Sequence, residues 1–188
     1  MEATAMATKN AASVGAIDLQ RFEIETPVGN VIGAVRDGRL CALGFTEQWP
    51  RLDTRLVRRF GTITWREAPR APAAVALAAY FAGRLDAIDD LHVDMAATPF
   101  HLDVWEALRR IPVGTTWSYR ELAHAVGRPA AVRAVGLANG ANPVAIVVPC
   151  HRVIGADGTL TGYGGGLSRK AWLLSHEGAQ LPLRVRVG

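Results

Sequence analysis

Residues 142–155 read NPVAIVVPCHRVIG, and this block decides how the chain presents its chemistry. Asn142-Pro143 is a turn signal, and the apolar run Val144 to Val148 has the length of a strand buried on both faces. Such a strand delivers Pro149, Cys150, His151 and Arg152 to its end. A thiol beside an imidazole and a guanidinium has a lowered pKa, and the thiolate is the nucleophilic form. The same pattern also fits an inert cysteine that closes an apolar strand. Neighbouring side chains on a strand point to opposite faces, so cooperation between Cys150 and His151 calls for a bridging water.

Towards the N-terminus, Thr98 is an N-cap candidate with Pro99 at the first helical position. Phe100, Val104, Ala107, Leu108 and Ile111 share a face, which predicts a helix ending near Ile111-Pro112. Ser118 and Glu121 have capping-box spacing at the head of a short helix, Tyr119 to Val126, closed by Gly127 and Pro129. A further helix begins near Ala130, carries Ala131, Val135 and Ala138 on one face and Arg133 on another, and ends at Asn139-Gly140. Two short helices joined by a tight Gly-containing turn describe a helix-turn-helix, which serves either DNA reading or plain core packing. Beyond the central block, GYGGG at residues 162–166 precedes a last helix with Leu167, Ala171 and Leu174 on one face and Gly178 past its end.

In the first half, residues 21–45 place short apolar runs around two turn signals, Pro27-Val28-Gly29 and Asp37-Gly38, as a β-meander does. Helix patterns follow over Asp53 to Phe60, with Leu56, Val57 and Phe60 on one side, and over Ala71 to Phe81. LHVDM, residues 91–95, alternates like one more strand. The chain therefore reads as α+β. A leader over residues 1–19 precedes a small N-terminal sheet-plus-helix domain over 20–95; a mainly helical domain follows over 98–180, with a tail over 181–188.

The 188 residues, 49% of them hydrophobic, suffice for one large or two small cores. The leader lacks the basic start and compact apolar run of a secretory signal, and no stretch approaches the roughly 20 apolar residues of a membrane span. A soluble, cytoplasmic protein without a membrane partner is expected. Cys41 and Cys150 build neither a disulfide framework nor a paired zinc signature, so at least one is free for chemistry. A net charge of +4 favours an anionic partner without identifying nucleic acid.

PCHRV at residues 149–153, followed at their spacings by GYGGG and by AWLLSHEG at 171–178, resembles the C-terminal domain of the O6-alkylguanine-DNA alkyltransferase family. SYRELA at 118–123 and AVRAVG at 131–136 extend the resemblance over residues 98–178. PVG at 27–29 and DGRLCALGF at 37–45 are similar to the family's more variable N-terminal domain. The resemblance implies an RNase H-like N-terminal domain and a helix-turn-helix of the winged-helix type. It also implies direct-reversal DNA repair by a suicide methyltransferase. O6-alkylguanine is flipped out of duplex DNA and its alkyl group passes irreversibly, in a single turnover, to Cys150.

By the same resemblance the catalytic set is Cys150, His151, Glu177, Asn142 and Tyr119. Cys150 accepts the alkyl group, His151 removes the thiol proton through a water, and Glu177 orients and charge-balances His151. Such a Cys-His-Glu relay is sound chemistry, because a carboxylate on one imidazole nitrogen makes the other a better base. Asn142 braces the turn, and Tyr119 hydrogen-bonds the ring of the departing guanine. Arg133 fills the gap in the base stack. Ala130, Ala131, Ala134 and Gly136 let their helix approach the minor groove, where proteins commonly wedge a side chain into the stack. Tyr119, Val153, Tyr163 and Gly164 wall the base pocket; several family members carry Ser where Gly164 stands, so only its backbone amide is expected to act. Taken singly, Arg133 also reads as a solvated helix charge, Tyr119 as a half-buried core aromatic and Glu177 as a surface acid.

The implied partner is double-stranded DNA containing O6-alkylguanine, with O4-alkylthymine as a second candidate, and the protein is expected to be a monomer without a cofactor. Some relatives bind zinc in the N-terminal domain; with only Cys41 and His92 there, no metal is expected. The alternative is a non-enzymatic protein that recognises alkylated bases, but such relatives lack the acceptor cysteine. A cysteine hydrolase, which would regenerate its thiol, is a further rival. So is an alkylation-sensing regulator, whose relatives carry an extra Cys-rich metal domain that this sequence lacks.

Overall fold

The computed structural model describes residues 15–180, 184 and 185. β1 (Ile17–Ile24), β2 (Val31–Arg36) and β3 (Arg39–Phe45) form the expected antiparallel meander. β4 (Ile63–Glu67) adds parallel to β1, so the sheet order is β3-β2-β1-β4. Strand alternation sends side chains to both faces, and both are covered. Leu19, Ala34, Cys41 and Ala42 meet Leu52 and Leu56 of α1 (Trp49–Phe60) on one side. Phe22, Val31, Val35, Leu43 and Phe45 enter the main core on the other. Gly33 stands opposite Phe22 in register, and a methyl there would come within 2.2 Å of the ring, so only glycine admits the aromatic.

The main core is shared between the halves. Leu77 and Tyr80 of α2 (Pro72–Phe81) and Val104 and Leu108 of α3 (Pro99–Arg109) are buried in one cluster with the sheet. β5 (Trp117–Ser118) leads into α4 (Tyr119–Ala125), and α5 (Val132–Gly140) follows after a tight turn at Gly127. The α4 capping box is formed as expected: Glu121 N–H donates to Ser118 Oγ at 3.1 Å, and Ser118 N–H to the Glu121 carboxylate at 2.6 Å. Val135 and Ala138 are buried against α3, whereas Leu137 is 71% exposed. β6 (Val153–Ile154) pairs with β5, β7 (Thr159–Leu160) pairs with β8 (Arg184–Val185), and α6 (Leu167–His176) ends at Gly178.

Several expectations change. β1 begins at Ile17, inside the stretch read as a leader, because β4 offers Ile63 as its partner; residues 1–14 lie outside the described residues. In the tail, Arg184 and Val185 pair as β8, and 181–183 and 186–188 lie outside the described residues. α1 starts at Trp49, with Pro50 in its first turn, and Val57 is 47% exposed rather than inward. Residues 91–95 are not a strand: Val93 makes one bridge to Leu40, and the Asp94 carboxylate and carbonyl both turn to Arg59.

The central correction concerns Val144 to Val148. All five residues are buried, but they form a reversal instead of a strand. Val144 bridges to Leu43 of the N-terminal sheet, with Leu43 N–H donating to Pro143 O and Ala145 N–H to Leu43 O, both at 2.9 Å. Ile146 then takes a φ of 73°, a costly conformation for a β-branched residue, and Val148 N–H returns to Val144 O at 3.0 Å.

Candidate active site

The reversal sets Cys150, His151 and Arg152 on a single 3-10 turn after Pro149. Asn142 clamps it: its Nδ2 donates to Val148 O at 2.8 Å, and its Oδ1 accepts from Val144 N–H at 2.9 Å. The fully buried His151 directs Nε2 to Glu177 Oε1 at 3.0 Å, a pairing that places the ring proton on Nε2. His151 Nδ1 is buried with no protein partner among the described residues, the condition for accepting a proton through a water.

Sequence reasoning missed the groups that fix Glu177. Arg152, 5% exposed, donates Nε to Oε2 and Nη2 to Oε1, each at 2.8 Å, and Nη1 to Ile111 O at 2.6 Å. Tyr80 of α2 donates its hydroxyl to Oε1 at 2.8 Å. Lys170 of α6 is also buried, with Nζ donating to Val153 O at 2.5 Å and to Thr161 O at 2.6 Å. An Arg inside an apolar block and a Lys beside the apolar stripe of Leu167, Ala171 and Leu174 were visible signals, since a buried charge must be paired. Nothing local marked Tyr80.

Burial pushes the Glu177 carboxyl up, but hydrogen bonds from His151 and Arg152, with their charges, outweigh it and hold the group well below the usual carboxylate range. Burial lowers the imidazole of His151 against the opposing pull of Glu177, so the ring rests neutral. The thiol pKa of Cys150 is raised by burial, against Asn142 and Lys170, which corrects the expectation of a lowered value. The thiol is therefore held protonated next to a neutral base. Burial brings Lys170 down to about 8 and raises the phenols of Tyr119 and Tyr163.

Of the expected pocket residues, Tyr163 and Gly164 line the cleft beside Cys150, together with Asn139, Gln48 and Arg51. Val153 is fully buried and is not part of that lining. The half-buried Tyr119 rests its hydroxyl near Thr161 O and Gly162 O, at 3.4 and 3.3 Å, and its ring lies against Gly136. The cleft volume is about 30 Å³, room for about one water. A larger cavity of about 470 Å³ lies between α1, Cys41 and the start of α3, and Cys150 is not in its wall. Arg133, Ala130 and Ala134 are exposed, and Ala131 and Gly136 half-buried, along α5 and the turn before it. Among the described residues no group of three His, Cys, Asp or Glu is placed to hold a metal, and no helix is long and apolar enough to cross a membrane.

Cys150 thus lies next in sequence to a buried imidazole–carboxylate pair, in the half of the chain that carries the two short helices α4 and α5. Residues 99–179 match the family model described as 6-O-methylguanine DNA methyltransferase, DNA binding domain. A methylated-DNA--protein-cysteine methyltransferase of Mycolicibacterium paratuberculosis is 49% identical over 161 residues, 85% of this chain and 92% of the relative. One from Salmonella typhimurium is 63% identical over 102 residues, 54% of this chain and 60% of the relative's length. The crystal structure of Mycobacterium tuberculosis OGT in complex with DNA superposes with a TM-score of 0.72 at 44% identity, covering 85% of this chain and 92% of that one. The chain belongs to the methylated-DNA--protein-cysteine methyltransferase family.

Proposed function

We propose that this protein repairs alkylated duplex DNA directly, moving the alkyl group from O6 of guanine to Sγ of its own Cys150. The observation that carries the reading is the His151–Glu177 pair behind a cleft-lining cysteine, with His151 Nδ1 free to receive a proton. The thiol proton passes through a water to Nδ1, sulfur attacks the alkyl carbon in line, and the carbon–O6 bond breaks. Its electron pair leaves with guanine, whose ring Tyr119 stabilises by donating a hydrogen bond. The thioether product has no route back, so each molecule acts once.

Arg133 occupies the gap left by the extruded base, which offsets the few kcal/mol that unstacking costs. Ala130, Ala131, Ala134 and Gly136 bring α5 close to the minor groove. Val153 supports the pocket from behind, while Tyr163 and the Gly164 amide face the base. The sheet half, from Ile17 to about residue 95, is of the RNase H-like type, and residues 98–180 carry the winged-helix type of helix-turn-helix. The protein acts as a cytoplasmic monomer.

Incubation with a duplex bearing one O6-methylguanine, followed by intact mass and a peptide map, tests this. The expected result is one methyl on the Cys150 peptide at one equivalent, absent in Cys150→Ala. Tight lesion binding without a mass gain would leave a recognition protein instead, and a regenerated thiol would indicate a hydrolase.

A further inference from the structure

Both halves of the molecule meet at one oxygen. Glu177 Oε1 takes three donors: the Tyr80 hydroxyl at 2.8 Å, His151 Nε2 at 3.0 Å and Arg152 Nη2 at 2.8 Å. His151 belongs to the relay and Arg152 supplies the balancing charge. Tyr80 has no such assignment. It is fully buried on α2, with its ring edge-on to Phe81 and His176 at 5.2 and 5.1 Å between centroids. Its carbonyl pairs with His176 Nε2 at 2.8 Å, which ties it to the last turn of α6. Packing alone does not explain a phenol here, because phenylalanine would fill the same space without needing a partner.

We propose that Tyr80 is a positioning residue of the proton relay, its hydroxyl fixing Glu177 Oε1 and drawing off part of the carboxylate's charge so that His151 stays neutral with Nδ1 open. The N-terminal half thereby takes part in the transfer. The inference rests on the relay described under Proposed function. Around the His151–Glu177 pair stand Lys170 from α6, Arg152 and Cys150 from the turn of His151, Tyr163 from the Gly-rich loop, and Tyr80 from α2, which reaches His151 only through Glu177. Tyr80→Phe removes one hydroxyl from this set and no formal charge. More negative charge then remains on Oε1 beside Nε2, which favours the imidazolium. His151 acts as a neutral base, so its protonation at higher pH moves the acid limb of the rate profile upward.

The test uses the full-length protein as wild type, Tyr80→Phe and Tyr80→Leu. Iodoacetamide alkylation of Cys150, read on its peptide, and methyl transfer from an O6-methylguanine duplex are each followed from about pH 5 to 9, across the range of a histidine base. In Tyr80→Phe the acid limb of both profiles moves up, and the rate near pH 6 falls about threefold to tenfold, part of what a positioned proton-transfer group contributes. Duplex affinity and the unfolding midpoint accompany each profile, and Tyr80→Phe decides the matter even where Tyr80→Leu does not fold. Profiles that superimpose on the wild type would overturn the proposal and leave Tyr80 a packing residue. If the iodoacetamide limb moves but the wild type gains no methyl, the relay role stands and the repair reading fails. Methyl transfer with unmoved limbs means the reverse.

Discussion

Replacing Arg152 with methionine keeps most of the side-chain volume and removes the one guanidinium that, among the described residues, reaches Glu177. Two hydrogen bonds to the carboxylate and one to Ile111 O disappear, all of them from a side chain 5% exposed. Glu177 then keeps its charge in a site where, among the described residues, a neutral imidazole and a phenol are the remaining side-chain donors. Deleting one partner of a buried ion pair costs about 3–5 kcal/mol, because the other charge is left uncompensated. The methionine recovers some apolar burial, so a net loss of about 4 kcal/mol is expected, within the range for breaking such a pair. For a chain of this size each kcal/mol lowers the melting point by about 2–4 °C, which puts the variant about 10 °C below the wild type. Urea unfolding followed by tryptophan fluorescence measures the free energy directly.

The pH dependence of that loss has a definite sign. The folded-state pKa of Glu177 is depressed, so its stabilising contribution is present above the unfolded carboxylate value and is lost as pH falls through the folded one. Arg152→Met weakens the depression, so as pH falls the variant's folded Glu177 takes up its proton before the wild type's, and the gap between the two narrows over that range. A loss under about 1 kcal/mol at neutral pH, typical of an exposed ion pair, would refute the picture of a desolvated carboxylate that depends on Arg152.

Lys170 gives a dependence of the same sign in a higher window. Its folded pKa of about 8 lies below the unfolded value, so between about 8 and 10.4 the unfolded chain holds a proton the native state lacks, and stability rises with pH. In urea titrations the wild type should gain up to about 3 kcal/mol on Lys170→Met across that window, and a constant difference would mean the ammonium is not desolvated. Gly33→Ala forces a methyl into the Phe22 ring and should cost about 2 kcal/mol or more, checked by thermal unfolding. Ser118→Ala opens the α4 capping box and should cost about 1 kcal/mol; a change in duplex affinity larger than in global stability would show that α4 frays locally.

The parts of the fold that were legible in the sequence are those governed by near neighbours. Thr98 with Pro99, Ser118 with Glu121, and the glycines at 38, 127 and 178 each mark a local event within a few residues, and each occurs where expected. β4 was missed because Ile63–Glu67 presents only half-buried and exposed side chains, so its pairing with β1 leaves little apolar alternation to read. The run from Val144 to Val148 misled for the converse reason. Five buried apolar residues fit a strand or a turn equally when the burial comes from two converging halves, and composition does not register the left-handed step at Ile146.

The candidate site shows the same division between local and distant information. Cys150, His151 and Arg152 are neighbours, and their types alone suggest a nucleophile with a base. What tunes them comes from afar: Glu177 is 26 residues from His151, and Tyr80 is 97 residues from Glu177. The packing around Cys150 reverses the local forecast for the thiol, because adjacent positive residues predict a lowered pKa while burial raises it against the opposing pull of Asn142 and Lys170. On the proposed reading, a resting thiol beside a neutral imidazole suits a protein that reacts once, because the sulfur is spared stray electrophiles until water bridges its proton to His151. The feature hardest to read from the sequence, the packing of residues from both halves around Cys150, is therefore the one that keeps its thiol protonated.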